Sequence, residues 1–322
     1  MAPRLYCEFF GLRERPFTLV PDPDAIYWSE QHRRAFMILE YALMSRAPIT
    51  LITGEIGAGK TTLVQALLRQ VGGEVTIGLV SNAQGSRGEV LGWVLASLGV
   101  PKPEGGYVAM FQALESFLLS EYAAGRRVAM IFDEAQNLSA EGIEELRLLT
   151  NINSGKDELI QLILVGQPEL RQMVLDPSLK QLAQRITAAF HLGPMEKDGV
   201  RAYLAHRMRA AGGTGNEFSI TAADAIYEAT GGVPRLVNQL ADFALLYAWS
   251  SERRKIGIET IRAVQKDEVF FWQASREEAI AAEETAAKAE APEWRMPPPS
   301  TEGERGRVKA RLNRLRTTKR PG

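Results

Sequence analysis

At 322 residues, 45% hydrophobic and 24% charged, with formal net charge −1, the chain is composed like a globular protein long enough for two domains, or one large domain and a tail. The near-zero balance of charge points to no particular class of partner. A single cysteine, Cys7, excludes an internal disulfide and a cysteine-rich metal site; His32, His191 and His206 are too scattered to read as a metal cluster; and no run of 18 apolar residues is present to span a membrane.

The start, MAPRLYCEFFGLRERPF, lacks the apolar core of a signal peptide, so a reducing cytoplasm is the expected home. The stretch YCEFFGLRERPFTLVPDPDAIYW is rich in aromatics and proline and reads as irregular. Its aromatics either pack on the main domain or contact an adenine base. A helix is expected from Ser29 to Met44, with Phe36, Leu39, Tyr41 and Leu43 spaced for partial burial and Ser29 placed to cap it.

The apolar run Ile49 to Ile52 then leads into Gly54-Glu55-Ile56-Gly57-Ala58-Gly59-Lys60-Thr61-Thr62, followed by an amphipathic helix pattern. Gly54 to Thr61 fits the phosphate-binding loop G-x-x-x-x-G-K-[ST]. The chemistry needs those residue types in that order. Glycines let backbone N–H groups turn inward around an anion, Lys60 adds a point charge for the β- and γ-phosphates of ATP, and Thr61 supplies a hydroxyl for Mg²⁺. The following helix aims its N-terminal dipole at the same oxygens.

Glu74 to Asn82 reads as a second strand, and Gly88 to Leu98 and Tyr107 to Ala124 as helices. RVAMIFDE, Arg127 to Glu134, is an apolar strand with an acidic end. An acidic pair after a strand is by itself an ordinary solvated turn. Downstream of a phosphate loop it reads as the partner that loop requires: Asp133 holds Mg²⁺ through water, and Glu134 polarises the attacking water as general base. Ala140 to Asn151 is expected to be helical. Leu159 to Val165 reads as a buried strand ending at Gly166-Gln167, where a polar side chain would sit beside the γ-phosphate; the plain alternative is a loop glutamine. Short helices over Leu170–Leu175 and Leu179–Ile186 and a fifth strand, Thr187 to Leu192, close the set. Strands alternating with helices imply a parallel sheet covered on both faces, with the Leu159–Val165 strand between the phosphate-loop strand and the Asp-Glu strand.

From Met195 onward the strands stop. Helical spacing runs over Asp198–Ala211, Thr221–Thr230, Pro234–Ser250 and Ile258–Phe271, with Thr221 and Gly231-Gly232 as start and stop signals. Arg235, in GGVPR, opens the third of these helices and either points back at the nucleotide or makes a surface salt bridge. After about residue 272 the composition shifts. Glutamates at 277, 278, 283, 284, 290 and 293 mark a solvated helix or disordered linker, and eight basic residues fall between Arg305 and Arg320 with no acid among them. A basic amphipathic segment of this kind binds an anionic membrane surface or nucleic acid, or serves only as a solubilising tail.

Together FFGLRERPF, TGEIGAGKTT, IFDEAQNLS, EELRLLTN, LILVGQPEL, QLAQRI, HLGPM and GGVPRLVNQLAD, in order over roughly residues 6 to 265, resemble the AAA+ ATPases of the ExeA/GspA type. That resemblance implies an α/β P-loop fold with a parallel sheet sandwiched by helices, a small all-helical lid and a C-terminal tail. The expected divisions are 1–47 packing on the ATPase core, 48–194 for the nucleotide-binding domain, 195–271 for the lid and 272–322 for the acidic linker and basic tail. It matches Gln167 to the sensor on the fourth strand, Arg185 in QLAQRI to an arginine finger offered to a neighbouring subunit, and Arg235 to the second sensor arginine. A finger given in trans makes turnover depend on assembly, hence a homo-oligomer. Secretion-type members continue into a membrane span and a peptidoglycan-binding domain. This sequence continues instead into the acidic linker and basic tail, which favours the shorter cytoplasmic members, peripheral at the inner membrane if the tail binds lipid. The expected function is Mg²⁺-dependent ATP hydrolysis serving a bacterial envelope secretion or polysaccharide export system. A DNA-binding ATPase regulator of the transposition type and a slow ATP-dependent switch are the rivals.

Overall fold

Parallel strands covered on both faces need largely apolar runs, and Val128–Phe132 supplies one without a break. A computed structural model describes residues 6–19, 26–81 and 88–267. Its elements, in order, are Cys7–Phe10 (α1), Glu30–Met44 (α2), Ile49–Gly54 (β1), Lys60–Gln70 (α3), Val75–Ser81 (β2), Glu89–Ser97 (α4), Gly106–Ala123 (α5), Arg127–Asp133 (β3), Ala140–Leu149 (α6), Asn153–Ser154 (β4), Asp157–Glu158 (β5), Ile160–Gly166 (β6), Pro168–Val174 (α7), Lys180–Ala183 (α8), Ile186–Leu192 (β7), Lys197–Ala210 (α9), Ile220–Thr230 (α10), Pro234–Ser250 (α11) and Ile258–Lys266 (α12). The acidic linker, the basic tail and the end of the last expected helix lie outside the described residues.

The chain divides into two compact units. One comprises residues 32–54 and 63–192; the other holds the described residues of 6–31, 55–62 and 193–267.

In the first unit β2-β3-β6-β1-β7 form one five-stranded sheet, parallel throughout. Every residue of β1 and of β6 is buried, as their central places demand. Strands β2 and β7 are the edges and carry exposed positions. Because side chains alternate along a strand, β1, β3 and β6 each offer two apolar faces. Ile49, Leu51, Val128, Met130, Phe132, Ile160, Leu162 and Leu164 share one cluster with Leu91 and Leu95 of α4, Leu114 and Leu118 of α5, Leu146 of α6 and Leu170 of α7. On the alternate face, Gln161 of β6 donates to the carbonyls of Ala42 and Ala47 at 3.1 and 3.3 Å. Arg127 of β3 donates to the Leu43 carbonyl at 2.7 Å. These bonds tie the carboxyl end of α2 to that face, where Leu43 and Leu67 of α3 line a small cavity with Arg127. The sheet is therefore covered on both sides, and β6 lies between β1 and β3, as the sequence pattern implied.

The second unit buries a separate cluster. Val200, Leu204 and Met208 of α9, Ile226 of α10, Val237, Leu240 and Leu245 of α11 and Ile261 and Val264 of α12 meet in it. Boundaries here follow local chemistry. Ser219 Oγ accepts from Ala222 N at 3.0 Å, so Ser219, rather than Thr221, is the N-cap of α10. Gly231 ends the helix with φ +58°, and Pro234 sits at the first position of α11.

The described residues of 6–47 are divided between the two units. Helix α2 does belong to the α/β unit, but Tyr6, Cys7, Leu12 and Phe17 are buried in the helical cluster. Polar anchors hold that stretch: Arg207 Nε donates to the Pro16 carbonyl at 2.7 Å, Asn238 Nδ2 donates to the Thr18 carbonyl at 3.2 Å, and Asp242 accepts from both Tyr6 and Arg15. Tyr27, near the end of the same stretch, packs its ring on Tyr203 and His206, with centroids 5.7 and 5.5 Å apart. The hairpin β4–β5 was not foreseen, because two-residue strands carry no periodicity.

One ionic contact fastens α5 to the edge of the sheet. Glu121 is buried at 7% exposure and accepts from Arg126 Nε at 2.8 Å and Nη2 at 2.5 Å, and from the Thr76 hydroxyl of β2. The Arg126 guanidinium, then the Thr76 hydroxyl, hold the Glu121 carboxyl down from 4.5 to about 2. A carboxyl with a lower pKa in the folded state stabilises the fold above its unfolded value and loses that contribution as pH falls. Glu121→Gln is therefore expected to lower the urea midpoint at pH 7, and the gap from wild type to close as pH falls from 4.5 towards 2. A gap that stays constant over that range would remove the ionic contribution.

Candidate nucleotide site

At the end of β1 the chain leaves Gly54 and turns through residues 55–59 into α3. The turn is closed by one carbonyl. Glu55 O accepts from Ala58 N at 3.1 Å and from Lys60 Nζ at 3.0 Å. Gly57 and Gly59 have φ of +81° and +98°, a region a side chain would strain. Lys60 is 5% exposed, so its ammonium is held inside the loop rather than in solvent. A helix N-terminus following a glycine-rich turn with a buried cation suits a polyphosphate.

Within the same unit, α11 brings Arg235 onto this loop. Arg235 N donates to the Gly57 carbonyl at 3.3 Å, and a Cβ at Gly57 would fall 2.4 Å from the Arg235 Cβ. The turn before it is pinned by Met195 N donating to the Gly232 carbonyl at 2.9 Å. The stem of Arg235 thus lies on a glycine of the phosphate loop, and the residue itself is exposed.

In the α/β unit, the parallel order β3-β6-β1 puts Asp133, Gly166 and Gly54 at the same end of neighbouring strands. Asp133 is 6% exposed, and its Oδ1 accepts from Glu134 N at 3.0 Å. Glu134 follows the strand with φ +56°, ψ +40°, a left-handed conformation costly for a residue with a side chain. That reversal turns its carboxylate back to the strand tips. Gln167, the N-cap of α7, donates from Nε2 to Glu134 Oε2 at 3.2 Å. The sequence-selected Glu134 and Gln167 therefore meet directly.

A third side chain, absent from the sequence reading, joins them. Gln136 Nε2 donates to Glu134 Oε2 at 2.6 Å, and Gln136 Oε1 accepts from Gln167 N at 3.0 Å. Its only sequence signal is the glutamine in IFDEAQ, two places after the glutamate.

Arg185 lies elsewhere in the α/β unit, after α8. Its Nη1 donates to Thr150 O at 3.0 Å and to Thr150 Oγ1 at 2.6 Å, and its Nη2 donates to Asn151 Oδ1. Thr150 is the C-cap of α6, so the guanidinium rests at the negative end of that helix. Among the described residues, no group of three or more His, Cys, Asp or Glu side chains is placed to hold a metal, and no helix is long and apolar enough to cross a membrane.

Comparison with known proteins bears on the family and the fold. A family model described as an AAA domain matches residues 43–174. General secretion pathway protein A of Aeromonas hydrophila is 39% identical over 253 residues, which cover 78% of this chain and 46% of that protein. Residues 43–174 thus match an AAA domain, and the chain is similar to the AAA+ ATPases of the ExeA/GspA type. It spans about half the length of that curated relative. Among solved structures, the Aeropyrum pernix ORC2 protein in its ADPNP–ADP complexes has a TM-score of 0.58 at 18% identity, covering 78% of this chain and 70% of that one. Cdc6p of Pyrobaculum aerophilum has a TM-score of 0.57 at 19% identity, covering 82% and 71%. At such identities these two show the fold, a P-loop parallel sheet with flanking helices.

In this AAA+ chain the contact between Gly57 and Arg235 leaves no room for a methyl group. Gly57→Ala is expected to displace either the loop or α11 and to weaken binding of a fluorescent ATP analogue by about tenfold, equivalent to about 1.4 kcal/mol. An unchanged dissociation constant in a fluorescence titration would mean that the packing of Arg235 on the loop has no bearing on the nucleotide.

Proposed function

We propose that this protein hydrolyses ATP to ADP and phosphate and uses the cycle to assemble or remodel a bacterial envelope secretion or export system. The observation that carries the enzymatic part is the Glu134 carboxylate, held at the strand tips by the side-chain amide of Gln167 at 3.2 Å. A carboxylate fixed beside a polar sensor side chain, in a chain that also carries a complete phosphate loop, suits general-base catalysis of phosphoryl transfer to water.

In this reading the loop amides of residues 54–62 and the Lys60 ammonium bind the phosphates. Glu134 accepts a proton from water as the water oxygen bonds to the γ-phosphorus. The bond from that phosphorus to the β–γ bridging oxygen breaks, and ADP leaves with the electron pair. Gln167 orients the γ-phosphate, while Arg235 and a neighbouring subunit's copy of Arg185 neutralise charge that develops there. The Thr61 hydroxyl and, through water, the buried Asp133 carboxylate would hold Mg²⁺. When bound it would offset charge on the β- and γ-phosphates.

The secretion assignment draws on the 39% identity to general secretion pathway protein A. Its protein partners would be components of that envelope machinery, met in the cytoplasm at the inner membrane. Assembly dependence rests on Arg185. Its present bonds to Thr150 and Asn151 use three of the five guanidinium N–H groups and hold the side chain in one orientation.

Glu134→Gln is expected to leave the dissociation constant for ATP unchanged and to lower turnover by about 10²- to 10⁴-fold, the usual contribution of a general base; turnover equal to wild type would remove Glu134 from that role. Specific activity of the wild type should climb as protein concentration rises. Arg185→Ala should abolish that climb, with its melting temperature measured alongside because Arg185 also braces α6. A flat, low rate indifferent to Arg185 would favour a monomeric switch.

A further inference from the structure

We infer that Gln136 is a positioning residue for Glu134, one amide side chain that fixes the carboxylate and joins it to the tip of β6. The inference rests on the proposed ATPase reading, in which Glu134 is the base and Gln167 the sensor. The geometry uses both ends of the amide. Nε2 donates to Glu134 Oε2 at 2.6 Å while Oε1 accepts from the Gln167 backbone N–H at 3.0 Å. The Gln167 side chain donates to the same Oε2 at 3.2 Å, so two amides converge on one carboxylate oxygen and set its rotation.

The neighbouring backbone is shaped around this bridge. Glu134 adopts its left-handed conformation, and residues 135–137 form a single 3-10 turn, which folds Gln136 back over the glutamate it follows. Gly166, the last residue of β6, has no side chain where Gln136 passes; a Cβ there would lie 2.6 Å from Gln136 Oε1. A left-handed glutamate, a glycine at the facing strand end and an amide satisfied at both ends all serve one contact.

The consequence is a link between sensing and catalysis. Gln167 cannot shift its backbone towards or away from a phosphate without moving Gln136 Oε1, and a displaced Gln136 withdraws the shorter of the two amide bonds to Glu134 Oε2. A brace that only stabilised the fold would have no reason to end on the carboxylate of the proposed base. A positioning residue would: a base displaced by about 1 Å loses about 10²-fold in rate.

The test compares wild type, Glu134→Gln, Gln136→Met and Gly166→Ala in the full chain. ATP hydrolysis, binding of a fluorescent ATP analogue and melting temperature are read for each. Gln136→Met keeps the length and apolar stem and removes both hydrogen bonds. It should lower kcat by about 10- to 100-fold, with the ATP dissociation constant and KM within about twofold of wild type. Gly166→Ala, which displaces Gln136 without altering it, should lower kcat in the same sense. Full kcat in Gln136→Met would overturn the inference. So would a fall in kcat matched by equal losses of nucleotide affinity and melting temperature, the mark of a purely structural brace. Wild type and Glu134→Gln separate the two readings. If wild type turns over and Glu134→Gln does not, a normal Gln136→Met sinks the positioning role alone. If wild type and Glu134→Gln have the same rate, the ATPase reading itself has failed.

Discussion

The insertion of β6 between β1 and β3 is the constraint on which the α/β unit depends. Hydrogen bonding on both edges fixes its register, with Thr53 opposite Gly166 on one side and Phe132 opposite Leu164 on the other. Burial on both faces then removes any freedom to slip, because a one-residue shift would exchange Leu162 and Leu164, in the cluster with α4 to α7, for Gln161. That register decides that Gly166 and Gln167 emerge level with the end of β3. Were β6 not paired with β3, the amide of Gln167 would not reach Glu134. The chemistry proposed for Glu134 is thus a consequence of strand order before it is a property of any side chain.

Polar groups inside this sheet are spent on connections the apolar core cannot make. Gln161 lies in the middle of an apolar strand, 4% exposed, and its amide holds the carboxyl end of α2 through two carbonyls. Glu145 of α6, 1% exposed, accepts the Gly88 N–H on both oxygens at 3.0 and 2.8 Å and so secures the start of α4. The Gln161 amide nitrogen and the Glu145 carboxylate would be costly if unpaired, and each instead joins a helix terminus to another element. The helical unit uses the same device. Asn238 of α11 accepts from the Tyr203 hydroxyl at 2.7 Å and donates to the Thr18 carbonyl at 3.2 Å, so the asparagine of GGVPRLVNQ is an internal strut.

Much of this was legible in the sequence, for identifiable reasons. Strands β1, β3 and β6 are apolar runs with clear stops, and their order follows from the motifs they carry. The span of α11 could be read because Pro234 and the two glycines before it act locally. What could not be read depends on contacts distant in sequence or on an unusual backbone. Nothing in FFGLRERPF says whether its aromatics bury against the sheet or the helices; Arg207, Asn238 and Asp242, some two hundred residues on, decide it. Gln136 was hidden by its spacing. Residues two apart do not face each other in a regular helix, and it is the left-handed turn at Glu134 that brings them together.

The same distinction bears on the arginines. Motif position marks Arg185 and Arg235 alike as charges for a phosphate, yet their surroundings differ. Arg235 is carried by the first turn of a helix whose backbone bonds to the phosphate loop, so its distance from that loop is set by main chain. Arg185 follows a four-residue helix and owes its orientation to side-chain and carbonyl bonds at the end of α6. A guanidinium held by Thr150 and Asn151 is only as well placed as the last turn of α6 beneath it. That helix also carries Glu145, which secures α4, so a displacement of α6 would move Arg185 and the start of α4 together. Arg235 is fixed by local backbone, whereas Arg185 is fixed by a helix that reaches across the unit.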